Sequence, residues 1–303
     1  MKRVIAFVIV LGVALAALYF SERRREKSSV SPNAVLEMAA DVQRDITRAP
    51  MRFTRLSDEE EIKIGTELAA RYADDGKKFT PEEQGLEEYV IKVGKAVSSH
   101  AHRKLPYTFH LIPNRSLINA FSLPGGHVFV GEGLLDLMSS EDQLAFILGH
   151  ELEHIDHYHC AERVQVEARF RRLKLGIVGE LVQIPLEVWE VGYSKDEELE
   201  ADREGLRLAV VGGYSPYGAV SLFEKFNELH AEYVIHAKSP EQELSELAIE
   251  SLEGYFRSHP ATSERIAQAE RVIAEEGWQN RNYQKPFHVE YEVHNGVLKQ
   301  EIR

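Results

Sequence analysis

The segment ILGHELEHIDHYH sets His150, Glu151 and His154 in an H-E-x-x-H arrangement. Two histidines four apart on a helix project from one face, about one turn from each other. Their imidazoles can grip one zinc ion without bending the backbone. Glu151, at the edge of that face, can accept a proton from an attacking water. A chain of this composition shows the pattern by accident roughly once in twenty, so the motif needs support. A catalytic zinc takes three protein ligands and keeps a fourth position open. The segment ELEAD offers the third, because Glu198 and Asp202 are four apart on one face of a second helix. Glu198 suits a ligand. Asp202 suits the other ring N–H of a ligating histidine and would fix its tautomer.

The elements that must position these groups are marked by local signals. Ser140 with Gln143 reads as a capping box, and Leu144, Ile147, Leu148, Leu152 and Ile155 give an apolar face to the helix carrying the histidines. Ser194 with Glu197 reads as a second capping box, opening a helix that stops at Gly212-Gly213. Upstream, Ser57 caps a helix with Ile62, Ile64, Leu68 and Ala69 as its stripe, and Pro81 opens another. YTFHLIP and HVFV read as strands, the second following a turn at Pro124-Gly125-Gly126. Helices are expected to about Glu276, and then a hairpin around Asn295-Gly296. The fold class expected is α+β, mostly helical, with a small sheet beside the active-site helix.

Composition narrows the class. The 303 residues are 44% hydrophobic, enough for a sizeable core, and the net charge of −13 argues against a nucleic-acid binder. A single cysteine, Cys160, rules out an internal disulfide framework. Lys2 and Arg3 precede an uncharged run from Val4 to Phe20, followed by SERRREK. That length lies between a secretory signal core and a membrane span. An uncleaved signal anchor is favoured, with a cleaved signal peptide as the alternative. The expected organisation is an anchor or signal at 1–22, a tether at 23–54, a catalytic domain at 55–280 and a β-hairpin at 281–303.

The combination of NAFSLPGGHVFVGEGLL, ILGHELEH, YSKDEELEADREGL and SHPATSERI, in that order, resembles the zinc metallopeptidases related to CAAX prenyl proteases, HtpX and BepA. The resemblance implies a zincin-like fold, one zinc per chain bound by His150, His154 and Glu198, and Glu151 as catalytic base. It implies that Asp202 supports a ligand and that His259 and Arg265 lie near the cleft. It also implies that Asn119-Ala120-Phe121 is an edge strand pairing with extended substrate. Protein or peptide substrates follow from the same likeness, while membrane attachment is expected from the N-terminal run, and an extracytoplasmic (periplasmic) catalytic domain from its signal-like order together with the likeness. A role in quality control of membrane or exported proteins follows from the likeness as well.

Blander readings stand beside these. His157 and His159 read as surface residues, Glu153 as solvent-facing and His127 as lying on an exposed strand face. Cys160 reads as a small buried residue. His259, before Pro260, either caps a turn or touches the metal or a substrate oxyanion. Arg265 is otherwise a surface ion-pair partner. A zinc-bound chaperone that holds clients without cutting them is the alternative function. A purely structural zinc is disfavoured, since such sites are closed and usually cysteine-rich.

Overall fold

The computed structural model describes residues 56–73, 79–165, 193–236, 259, 263–286, 290–294 and 297–301. All of these belong to the unit spanning Arg55–Arg303. The apolar run at Val4–Phe20 and the tether lie outside the described residues. Among those described, no helix is long and apolar enough to cross a membrane.

Helix α1, Asp58–Ala73, begins where Ser57 and Glu60 close a reciprocal box: the Glu60 N–H donates to Ser57 Oγ at 3.3 Å, and the Ser57 N–H to Glu60 Oε2 at 2.9 Å. Helix α2, Pro81–Ser98, starts at Thr80, whose hydroxyl accepts the Glu83 N–H, with Pro81 in the first turn. Three strands follow: β1, Thr108–Ile112, β2, Ala120–Leu123, and β3, His127–Gly131. Their order is β1-β3-β2, with β3 parallel to β1 and antiparallel to β2. The β2–β3 turn uses Gly125 and Gly126 at φ +80° and +111°, a region glycine adopts without strain.

After the short helix α3, Glu132–Leu137, comes the central helix α4, Glu141–Asp156. Its N-terminal cap differs from the expected box. The Gln143 N–H donates to Ser140 Oγ, but Gln143 Oε1 accepts from Ser139, one residue earlier than a reciprocal box requires. Helix α5, Lys195–Val211, has the complete Ser194–Glu197 box. Helices α6, Tyr217–His236, and α7, Ser263–Glu275, follow, and then β4, Glu290–His294, antiparallel to β5, Val297–Glu301.

Packing converges on α4. It lies against α2, α5, α6 and β2, and every residue from Asp142 to Asp156 is buried. Leu144, Ile147, Leu148, Leu152 and Ile155 fill the core as their spacing suggests. The polar side of the helix is buried too, which its sequence did not indicate. Burying carboxylates and imidazoles is costly unless something pairs with them, so this side of α4 needs polar partners from other elements.

Candidate metal centre

Helix α4 supplies His150, Glu151 and His154, all fully buried. Helix α5 crosses it and brings Glu198 and Asp202 to the same place, and His259 and Arg265 close it from the far side. His150 Nε2 and His154 Nε2 are 3.1 Å apart. Glu198 lies 3.6 Å from the first and 3.5 Å from the second. His259 Nδ1 is 3.2 Å from His150 Nε2 and 3.0 Å from Glu198 Oε1.

These distances fit a metal cage. Ligands about 2.0–2.1 Å from a tetrahedral zinc stand about 3.3 Å from one another, and the four groups bracket that value. The protons agree. His150 Nδ1 lies 2.9 Å from Asp202 Oδ1, which draws the ring proton to that nitrogen. His154 Nδ1 lies 2.9 Å from His159 Nδ1, so that ring has its own partner away from the cage. Both Nε2 atoms then turn lone pairs toward one point, where a cation would satisfy them together. The donor set of three imidazoles and a carboxylate suits zinc.

The electrostatics follow from burial and close charges. Burial pushes His154 well below the usual histidine range, favouring the neutral form a ligand needs. Burial also opposes the charge on Glu198, yet His259, His154 and Arg265 hold its carboxyl well below the ordinary range. Asp202 behaves alike: burial is outweighed by Arg265 and His150. Arg265 grips Asp202 with two bonds, Nε to Oδ2 and Nη2 to Oδ1, each 2.6 Å. It also lies over Phe223 and 3.3 Å from Glu198. It is therefore no surface ion-pair partner. Glu151 is the odd member. Both its oxygens are buried without a hydrogen-bond partner among the described residues, and Oε1 stands 3.4 Å from His259 Nε2.

Three blander expectations are corrected. Glu153 does not face solvent: it is 0% exposed, because α5 covers that side of α4. Its Oε2 lies 3.1 Å from His157 Nε2, and burial raises its carboxyl pKa. His159 is 6% exposed and touches His154, while His157 is half-buried. His127 is half-buried, its Nδ1 2.8 Å from Thr108 Oγ1, and burial pushes its pKa down to about 4. Cys160 is a buried thiol, as read. One group is not singled out by the sequence as a site residue, although Tyr193 opens the segment YSKDEELEADREGL. The Tyr193 ring stacks on His154 at 3.7 Å between centroids, with the Arg163 guanidinium 3.8 Å from the Tyr193 ring. A lone tyrosine before a helix cap carries no periodicity that would single it out. Ala120–Leu123 lies at the edge of the three-stranded sheet and packs against α4.

Residues 84–273 match peptidase family M48, a span that holds every residue of the cage. The mitochondrial metalloendopeptidase OMA1 of Arabidopsis thaliana is 31% identical over 165 residues, covering 50% of this chain and 33% of that protein. The beta-barrel assembly-enhancing protease of Escherichia coli K12 is 29% identical over 160 residues, covering 46% of this chain and 32% of that protein. The mitochondrial OMA1 metalloendopeptidase of Bos taurus is 31% identical over 173 residues, covering 52% and 30%. The matched region spans about a third of the length of these relatives.

Proposed function

The chain belongs to peptidase family M48, and from that premise we propose that it is a zinc-dependent metalloendopeptidase acting on protein substrates. His150, His154 and Glu198 hold one zinc, and Glu151 is the general base. One observation carries the reading. Two imidazole lone pairs and a carboxylate converge at 3.1 to 3.6 Å beside a buried carboxylate, Glu151, that nothing described hydrogen-bonds. Zinc there supplies Lewis-acid polarisation of the scissile carbonyl. The chain's own residues do the rest. Glu151 takes the proton of the attacking water and passes it to the leaving amine. Asp202 keeps the His150 proton on Nδ1, and Arg265 keeps Asp202 ionised. Extended substrate pairs with the strand edge at Asn119, Ala120 and Phe121, so recognition is driven by backbone and only loosely sequence-specific.

His259 Nδ1 stands close enough to His150 and Glu198 to join them as a fourth group around a bound zinc, and a site closed in that way would hinder catalysis, which uses three protein ligands and an open position. Turned away from the cage, His259 could instead face the substrate oxyanion. The same contact favours a second reading, a zinc-bound chaperone or adaptor whose closed site holds clients without cutting. Cleavage of an unfolded protein such as casein by the purified full-length chain, beside Glu151→Gln, separates the two. Zinc-loaded protein that never cuts, with Glu151→Gln functioning normally in cells, supports the holding reading.

Residues 1–22 serve as the signal anchor in this proposal, with 23–54 as tether, 55–280 as the catalytic domain and 281–303 as the closing hairpin. The anchor sets the catalytic domain on the extracytoplasmic side of a membrane, in quality control of membrane or exported proteins. The uncharged run and its basic flanks support the anchor, and a relative named as a beta-barrel assembly-enhancing protease supports a role in handling other proteins. Full-length protein in the membrane fraction, digested by protease added from outside, is the expected result. Full-length protein in the cytosolic soluble fraction would remove both anchor and compartment.

A further inference from the structure

We propose that His159 is the positioning residue of His154: it accepts the His154 Nδ1 proton and fixes the ring that faces the metal cage, with Glu200 behind it. The proposal rests on the reading of His150, His154 and Glu198 as zinc ligands.

The geometry is specific. His154 Nδ1 and His159 Nδ1 are 2.9 Å apart, and His159 Nε2 lies 3.7 Å from Glu200 Oε2. Only one tautomer pair suits a ligand. If His159 donated through Nδ1, the His154 proton would sit on Nε2 and point into the cage. So His154 carries its proton on Nδ1, His159 accepts there, and the His159 proton sits on Nε2 toward the Glu200 carboxylate. Both ligating imidazoles are then backed by a carboxylate of α5, His150 by Asp202 directly and His154 by Glu200 through His159.

The backbone is bent to make this contact. On an unbroken helix, residues five apart point about 140° away from each other, and the two rings would not meet. Helix α4 stops at Asp156, and Tyr158 takes φ +64°, the one positive φ at a non-glycine residue among those described. The chain then re-enters helix at His159, which brings that ring back onto His154. A side chain in the left-handed region costs energy and persists only where its surroundings hold it. Here Arg103 lies 3.9 Å over the Tyr158 ring while donating to Glu61 and to the Ile155 carbonyl oxygen. His159 itself is buried at 6% exposure, where an aliphatic side chain would pack at lower cost.

The test uses the purified full-length chain and three variants, His159→Ala, His159→Asn and Glu200→Gln, with folding checked by circular dichroism. Zinc affinity is read by competition with a chromophoric chelator, and ligand geometry by visible absorption of the cobalt-substituted protein. His159→Ala should weaken zinc binding about 10–100-fold and alter the cobalt spectrum. His159→Asn, whose amide oxygen can accept from His154 Nδ1, should restore most of both. Glu200→Gln should weaken binding less than His159→Ala. A parent that holds zinc, with His159→Ala within twofold of it and spectrally unchanged, overturns the proposal. So does His159→Asn behaving no better than His159→Ala. If His159→Ala does not fold, Glu200→Gln decides: unchanged affinity there overturns the relay and weakened affinity supports it. A parent that binds no zinc overturns the ligand assignment instead, a separate outcome.

Discussion

Gly149 of α4 and Gly205 of α5 meet backbone to backbone. A Cβ on Gly149 would lie 2.5 Å from the Gly205 carbonyl oxygen, and one on Gly205 would lie 2.5 Å from the His150 amide nitrogen. Two helices that each present only hydrogen at the crossing can approach closely enough for Glu198 to reach between His150 and His154. Gly205→Ala therefore forces backbone apart, which outweighs the ~1 kcal/mol of helix propensity alanine brings. A net loss of about 1–3 kcal/mol of stability is expected, with weaker zinc retention. Urea unfolding and metal content measure both. Parent-like values in each would mean the crossing is not tight.

Glu151→Gln should leave zinc content and unfolding unchanged while peptidase activity falls at least about 10²-fold. The amide keeps the shape of the side chain but cannot take a proton from water. Zinc analysis beside a casein-cleavage assay checks it. Undiminished cleavage would remove Glu151 from the reaction.

Removing the fourth cage member should open the site. His259→Ala is expected to keep zinc on the three remaining ligands and to cleave unfolded protein at least as fast as the parent. Zinc retained with cleavage abolished would instead make His259 a group that contacts the reacting carbonyl.

Asp202→Asn should weaken zinc affinity about 10–100-fold without abolishing it, because an amide still contacts His150 but no longer draws its proton. It also takes from the buried Arg265 guanidinium the carboxylate that it grips with two bonds, leaving Glu198 at 3.3 Å, so a lower unfolding midpoint accompanies the change. Chelator competition and thermal melting read the two effects. An enzyme unchanged in both would reduce Asp202 to packing.

Burial pushes the Cys160 thiol up to about 11. At pH 8 roughly one thiol in a thousand is then ionised, and the thiolate is the reactive form. Iodoacetamide should leave Cys160 unmodified in the folded chain and label it in urea, as mass spectrometry would show. The linkage sign also follows. The folded value lies above the unfolded one, so this contribution to stability is complete below about pH 8.5 and is lost as pH rises through about 11. Rapid labelling of folded protein at pH 8 would contradict the shift.

The sequence alone determined what depends on neighbours along the chain. His150, Glu151 and His154 declare themselves by helical spacing, and Ser194 with Glu197 marks the start of the second helix, as Pro124-Gly125-Gly126 marks the turn. Each is a local signal, because caps, turns and one-face spacing are set within a few residues. The four-residue spacing of Glu198 and Asp202 marked them as a pair on one helix face, and the resemblance added His259 and Arg265 near the cleft, but neither gave the bonds among them.

Only the tertiary structure decided which polar residues are buried and what they touch. Glu153 and His159 read as solvated because nothing local distinguishes them from a polar helix surface; α5 covers the one, and the turn at Tyr158 folds the other onto His154. Arg265 becomes the anchor of Asp202 across 63 residues of chain, and Gly149 matters only because Gly205 lies opposite it. Burial and long-range pairing depend on which surfaces meet, and a string of residues states that only after it has folded.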